Sequence, residues 1–232
     1  MKLKTYLFAV TRDSYLLPLV PLLAAFTWMC AQTGLDAWLN DLARLQNETF
    51  SLVWSAPPLL IGFAAPALMP LVLWVKDKEK AVLVAKTVVF TVAVVSVLKG
   101  WTSRVHPEDL SFVDTYSRSN SMELGFLKSG WISVVEGWPS GHCASNTAMA
   151  LSFAAGGGAL IQRLAIFWAS WVALATVFGI QGDVHWFSDS VAGVVLGVVI
   201  ARAHIRWTAD KSTSSQSSVA EPSGQETSES SS

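Results

Sequence analysis

Three polar clusters interrupt an otherwise strongly apolar chain, and their residue types suit chemistry at phosphorus. The first runs Lys99-Gly-Trp-Thr-Ser-Arg104-Val-His106-Pro107, the second Trp138-Pro139-Ser140-Gly141-His142, and the third Asp183-Val184-His185-Trp186-Phe187-Ser188-Asp189. A neutral imidazole is a competent nucleophile. His185 and Asp189 are four residues apart, so on a helix they share a face, where the carboxylate can fix the ring's tautomer and stabilise its positive charge. His142 supplies a second imidazole to protonate a departing oxygen. Ser140, the amides of Gly141 and His142 at a helix N-terminus, and Lys99 offer donors for equatorial oxygens. The set calls for no metal and no cofactor. Each cluster alone has a plainer reading: a lysine snorkelling to headgroups, a capped helix start, a structural pair on a helix. Those separate readings leave unexplained why all three fall at helix ends on one face.

The elements that must hold them are read from the apolar pattern. Apolar residues make up 52% of the chain and charged residues only 14%, too little charge to cover a soluble surface. Eleven tryptophans suit helix ends at the headgroup level. A net charge of −1 gives no reason to expect a nucleic-acid partner. Runs of bilayer length occupy residues 15–31, 57–75, 81–98, 142–161, 164–180 and 186–201, which predicts an all-α, polytopic membrane protein of about six transmembrane helices. Pro66 and Pro70 are expected to bend the second, and Gly156-Gly157-Gly158 to loosen the fourth. Gly193 and Gly197 give a small-residue spacing that permits close packing in the sixth.

Lysine and arginine concentrate in residues 1–13, in Lys76 to Lys80, at Arg163, and in Arg202, Arg206 and Lys211. The positive-inside rule then places both termini in the cytoplasm and turns connections 32–56, 99–141 and 181–185 outward. The three clusters lie on that outer side, and a compact chain of this kind suits a bacterial inner membrane with its site facing the periplasm. The basic start, Lys2, Lys4 and Arg12, leads into the first apolar run and reads as an uncleaved span. Residues 1–207 form the membrane domain, and 208–232 are a polar tail expected to be disordered. Cys30 and Cys143 lie in apolar segments and read as buried thiols.

Within the first outer connection, Leu35, Trp38, Leu39, Leu42 and Leu45 recur at helical spacing, with Asp36, Asp41 and Arg44 opposite. This predicts a short helix lying in the membrane interface. Asn47-Glu48-Thr49 is a glycosylation sequon. In the long connection 108–138, Phe126, Trp131, Trp138 and the 132–135 stretch are read as a flap beside the site or an anchor to headgroups.

The clusters resemble the type 2 phosphatidic acid phosphatase family, also called the acid phosphatase/vanadium haloperoxidase superfamily. Pro139-Ser140-Gly141-His142 matches that family's central motif in full. Its third motif is Ser-Arg, five residues, His, three residues, Asp, of which His185 and Asp189 match; its first is Lys, six residues, Arg-Pro, of which Lys99 and Pro107 match. The resemblance implies a haloperoxidase-like helical bundle. It makes His185 the nucleophile of a phosphohistidine, Asp189 its orienting carboxylate and His142 the general acid, with Lys99, Ser140 and Gly141 on the phosphate. Members remove phosphate from lipid phosphates or pyrophosphates, and some transfer it between lipids.

Two positions depart from that pattern. His106 stands where the first motif has arginine, and Phe178-Gly179 where the third has Ser-Arg. A cation beside a phosphate is worth on the order of 4 kcal/mol at an intermediate dielectric. Three explanations fit: a protonated His106 partly replaces its arginine, with Arg104 or Arg118 swinging in; the substrate carries less charge; or catalysis is lost. The first is preferred, because His142, His185 and Asp189 are all kept. The reading is a membrane lipid phosphatase acting on a lipid phosphate or isoprenoid pyrophosphate. The alternatives are transfer between lipids and a non-catalytic protein binding a lipid headgroup.

Overall fold

A computed structural model describes residues 10–108, 114–128, 130–131, 137–182 and 184–219, with side chains as far as Lys211. The helices, in order, are α1 (Leu16–Gln32), α2 (Leu35–Arg44), α3 (Glu48–Lys76) and α4 (Lys78–Trp101), then α5 (Thr115–Ser119), α6 (Gly141–Ala154), α7 (Ala159–Phe178) and α8 (Phe187–Val219). Between α4 and α5 runs β1 (Thr102–Ser103), paired antiparallel with β2 (Glu123–Leu124), which follows α5. A one-turn 3₁₀ helix, Ile180–Gly182, links α7 to α8.

The all-α membrane architecture expected from the apolar pattern is present. Among the described residues, four helices, α3, α4, α7 and α8 as far as Lys211, are long and apolar enough to cross a bilayer. A fifth span arises if α1 and α2, which meet at a 64° bend, are taken as one. The apolar run 142–161 is not one helix. Gly156 has a positive φ of 71°, a conformation that ends a helix and that only glycine adopts at little cost. The chain therefore stops at Ala154 and restarts at Ala159, leaving α6 with 14 residues. Arg163, expected in a connection, lies inside α7. At the other end, α8 continues to Val219, past the Thr208 at which the polar tail was expected to begin.

Helix α6 is the hub. It packs against α8, α4, α7 and α3, and every residue from Cys143 to Ala150 is buried. A helix buried all round must be made of small residues if four neighbours are to reach it, and α6 is largely Gly, Ala, Ser, Cys and Thr. The α8 side of the contact is closer still. A Cβ on Gly193 would lie 2.4 Å from the Ser140 carbonyl oxygen, and one on Gly197 2.6 Å from that of Ala144. The small-residue spacing seen in the sequence thus sets the distance at which α8 meets α6.

In α3, four prolines leave the helix unbroken and give it a second function. A proline lacks the N–H that would bond the carbonyl one turn earlier. Pro58 releases the Trp54 carbonyl, which accepts from Trp171 Nε1 at 3.2 Å, and Pro66 releases that of Gly62, which accepts from Asn146 Nδ2 at 2.8 Å. These two freed acceptors are taken up by neighbouring helices, as a low-dielectric interior favours. Asn47 of the sequon caps this helix, its side chain accepting from Phe50 N at 3.1 Å.

Helix α2 forms where the sequence predicts it, with its apolar face exposed as an interfacial helix requires and part of its polar face buried in the protein. Asp36, Ala37, Asn40 and Ala43 are buried, while Trp38 is 62% and Leu45 82% exposed. Where the surroundings are lipid, the apolar face has no reason to turn inward, and the polar face buries itself among protein partners instead. Trp138 differs from expectation. It is buried against Leu16 and Leu196, and its Nε1 donates to Thr27 Oγ1 at 2.7 Å. Phe126 and Trp131 are exposed, as either a flap or a headgroup anchor requires; residues 132–135 lie outside the described residues.

The glycine contacts yield a stability prediction. Gly193→Ala and Gly197→Ala each place a methyl against helix backbone and should cost about 1–3 kcal/mol by overpacking. Gly158→Ser, with nothing within 4 Å of its Cβ and an N-cap position to fill, should be neutral or stabilising. Thermal unfolding in detergent micelles compares them, and equal shifts would show that the α6–α8 distance is not limiting.

Candidate active site

The three polar clusters converge. A cleft of about 850 Å³ opens between α3, α4 and α6, with Lys99, Gly141, His142 and His185 at its polar end and Phe63, Pro66 and Val89 along its apolar length. His185 is held by its backbone, whose N–H donates to the Thr176 carbonyl at 3.0 Å. Its Nδ1 lies 3.9 Å from Asp189 Oδ2, an ion-pair contact longer than a hydrogen bond. That orientation leaves Nε2 as the ring nitrogen available to the cleft. Burial pushes His185 down to about 4, with Lys99 and His106 adding to the depression and Asp189 opposing it. The imidazole is therefore neutral at physiological pH, as a nucleophile must be.

Ser140 caps α6, accepting from Cys143 N at 3.3 Å, and is itself fully buried. Its backbone N–H donates to the Asp189 carbonyl at 3.0 Å, tying the start of α6 to the first turn of α8. A Cβ on Gly141 would stand 3.7 Å from Lys99 Cε, ordinary van der Waals contact, so the lysine stem lies close beside the helix N-terminus. Lys99 Nζ donates to the Gly137 carbonyl at 3.1 Å. His142 faces the cleft from α6, its Nε2 3.3 Å from the Pro58 carbonyl of α3.

His106 is brought to the site as its place in the first motif predicts. Its ring centroid is 5.3 Å from that of His185, and its buried Nε2 has no hydrogen-bond partner. The loop beneath it is tied on both sides. Trp186 Nε1 donates to the Val105 carbonyl at 2.8 Å, and Arg44 Nη2 to that of Pro107 at 3.1 Å. Arg118 donates to the same Pro107 carbonyl.

Neither arginine expected to swing toward a phosphate is placed to do so. Arg118 is buried against Pro107. Arg104 is 3% exposed and fully engaged. Its Nη2 lies 2.6 Å from Asp36 Oδ2 and 2.8 Å from the Ser119 carbonyl, and Nη1 bonds Asp189 Oδ1 and, at 2.9 Å, Ser188 Oγ. The guanidinium also stands over the Trp186 ring, 5.5 Å from its centroid. The expectation that Arg104 binds substrate is therefore corrected: its charge is spent on two carboxylates behind the site.

The missing third-motif arginine has an equally concrete cause. A Cβ on Gly179 would lie 2.3 Å from the Ala175 carbonyl oxygen and 2.4 Å from Ser55 Cβ. Helix α3 closes on this position so tightly that no side chain fits. Asp183, singled out in the third cluster, lies outside the described residues.

A residue at the back of the site that the motif spacing did not bring there is Asp36. It is fully buried, and besides Arg104 it accepts from Ser188 N at 2.9 Å and Ser188 Oγ at 2.6 Å. The signal was available: an acid flanked by small and apolar residues on a helix beside lipid belongs on the inward face. No cluster of histidine, cysteine and acidic residues able to hold a metal occurs among the described residues.

A helical bundle with membrane-spanning helices, enclosing a histidine–carboxylate pair beside a lysine and a capped helix N-terminus, defines an integral-membrane protein built for phosphate chemistry. A family model, the PAP2 superfamily, matches residues 80–213, and the chain belongs to that superfamily, the acid phosphatase/haloperoxidase group. Membership brings phosphatase-type activity on lipid phosphates as the general function. No curated protein and no solved structure matches the chain at a significant level.

The sealed position leads to a prediction. Gly179→Ala should destabilise the chain by about 1–3 kcal/mol, and Ser55→Gly should recover part of that loss by removing one of the two clashing groups. Unfolding midpoints of the single and double variants measure this. Additive losses would mean that Ser55 is not what closes the site.

Proposed function

We propose that the chain hydrolyses a lipid phosphate or isoprenoid pyrophosphate through a phosphohistidine on His185. The observation that carries this is the division of one cleft into a polar end, with Lys99, His142 and His185, and an apolar length able to hold an acyl or prenyl chain. His185 Nε2 attacks phosphorus and forms an N–P bond as the P–O bond to the lipid breaks. His142 gives its proton to the departing oxygen. Water then attacks the phosphohistidine, returning a proton to His142 and breaking the N–P bond, which restores neutral His185 and frees phosphate. Lys99, the amides at the start of α6 and Ser140 bear the developing negative charge. His106, beside His185 with an unpartnered buried nitrogen, takes the place of the family arginine on the phosphate. The site faces the outer side of a bacterial inner membrane, with both termini cytoplasmic, in keeping with the lysine and arginine distribution.

The test uses the full chain in mixed micelles with a panel of phosphatidic acids and prenyl pyrophosphates. Phosphate release should fall at least about a thousandfold in His185→Ala. Equal release from both proteins sinks the mechanism, and no release from any substrate favours a headgroup-binding protein. His185 is neutral above about 4 and protonated below it, so the nucleophile is lost as pH falls through that value. The acid limb of kcat/KM is therefore expected near 4 rather than near the ordinary 6.5. If His106 serves the phosphate, His106→Ala should raise KM and His106→Arg should keep it close to wild type; an unchanged KM in His106→Ala would count against the assignment.

A further inference from the structure

Asp36 lies outside the family match, which begins at residue 80, yet it is built into the back of the site. Its carboxylate, the Arg104 guanidinium and the Asp189 carboxylate form one buried chain, with Ser188 bonded to both Asp36 and Arg104. The three charged side chains are almost entirely withdrawn from water: Asp36 at 0%, Arg104 at 3% and Asp189 at 2% exposure. The far end of the chain is the carboxylate behind His185 Nδ1.

The charge of this group decides what it does. Arg104 by itself would cancel Asp189, and a cancelled carboxylate gives a developing imidazolium no field to lean on. Asp36 supplies a second negative charge, so that Asp36, Arg104 and Asp189 together carry −1. When His185 gains a positive charge on attacking phosphorus, that charge meets a net anion instead of a neutral pair. Geometry adds to this. Asp189 presents one oxygen to Arg104 and the other to His185, so the guanidinium fixes which way the carboxylate faces. Asp36 and the Ser119 carbonyl fix the guanidinium in turn.

We propose that Asp36, acting through Arg104, is a positioning residue for the reaction: it orients the Asp189 carboxylate and restores its net charge toward His185. The proposal rests on His185 being the nucleophile. The charged and titratable groups facing His185 are Asp189 on α8, Lys99 on α4, His106 and Arg104 on the loop after α4, and His142 across the cleft. Of these, Asp189 alone is an anion, so the partner of Asp189 has a large effect on its field.

Two arms test this, one with substrate and one without. In the first, kcat and KM are measured on phosphatidic acid for wild type, His185→Ala, Asp36→Asn and Asp36→Glu. Asp36→Asn keeps an acceptor for Ser188 but removes the charge; it should lower kcat roughly tenfold with KM within about twofold. Asp36→Glu, which keeps the charge, should recover much of the loss. A purely structural aspartate predicts instead that both variants lose activity in step with their unfolding midpoints. His185-independent release undermines the phosphohistidine reading; His185-dependent release with an unchanged kcat in Asp36→Asn overturns the inference alone. In the second arm, histidine side-chain NMR follows His185 in Arg104→Gln, or in Arg104→Lys as a charge-retaining control. Loss of the cation should raise the His185 titration midpoint by roughly half a unit to one unit, with Arg104→Lys close to wild type. An unmoved midpoint in Arg104→Gln refutes the electrostatic link whether or not the substrate has been found.

Discussion

A guanidinium removed from water costs several kcal/mol unless carboxylates and hydrogen-bond acceptors replace its hydration, and removing one partner from such a group costs about 3–5 kcal/mol. Arg104 meets that requirement with acceptors from separate parts of the chain: Asp36 from α2, the Ser119 carbonyl from the end of α5, and Ser188 and Asp189 from the start of α8. No single element can satisfy it. The bend between α1 and α2, the return of the β1–β2 pair and the turn before α8 must all be in place before the arginine is paired. The same residue therefore ties α2, the end of α5 and the start of α8 together and fixes the carboxylate behind His185. Aromatic stacking on Trp186, whose Nε1 in turn holds the Val105 carbonyl, carries that order to the loop presenting His106.

The second constraint is distance. On the proposed mechanism, attack by one histidine and protonation by another require α6 and α8 to approach until His142 and His185 border one cleft. Glycines on α8 and the small residues of α6 make that approach possible. The prolines of α3 complement it from the other side. They free the Trp54 and Gly62 carbonyls at intervals along the helix, and the acceptors bind Trp171 of α7 and Asn146 of α6. Asn146 also donates to the His142 carbonyl at 2.9 Å and accepts from Trp168 Nε1 at 3.0 Å. The general-acid candidate is thus set by a polar network within the bundle, at a depth where unpaired groups are expensive.

Much of this was legible in the residues. Apolar runs located the helices, and motif spacing brought Lys99, His106, Ser140, Gly141, His142, His185 and Asp189 to one region. What the sequence concealed were matters of partner rather than position. Hydropathy cannot distinguish an apolar run that is one span from a run broken by Gly156, because glycine scores as neutral while its backbone changes direction. An amphipathic pattern does not name the partners of its polar face, and for α2 they are Arg104 and Ser188. Arg104 resembled a phosphate ligand because its charge was visible and its carboxylates were not, one of them being 68 residues away. Gly179 looked like a lost arginine, whereas the contact with Ser55 makes it a closed wall.

These corrections change what the missing arginines mean. A guanidinium is charged at every accessible pH and binds phosphate oxygens through a rigid fork. A histidine in its place is a cation only when protonated, and it offers one nitrogen on each side of a small ring. With position 179 sealed and Arg104 and Arg118 committed elsewhere, the side chains at the cleft able to carry positive charge are Lys99 and three histidines, among the described residues. On the proposed reading, the charge available to a bound phosphate is therefore adjustable rather than fixed. The buried −1 of Asp36, Arg104 and Asp189 then carries more of the electrostatic burden than a site with two permanent arginines would ask of it. On that reading, the absence of guanidinium groups in front of the phosphate and the presence of the Asp36 carboxylate behind the nucleophile act on the same charge from opposite sides, one by withholding a counter-ion from the substrate and the other by supplying one to the imidazolium.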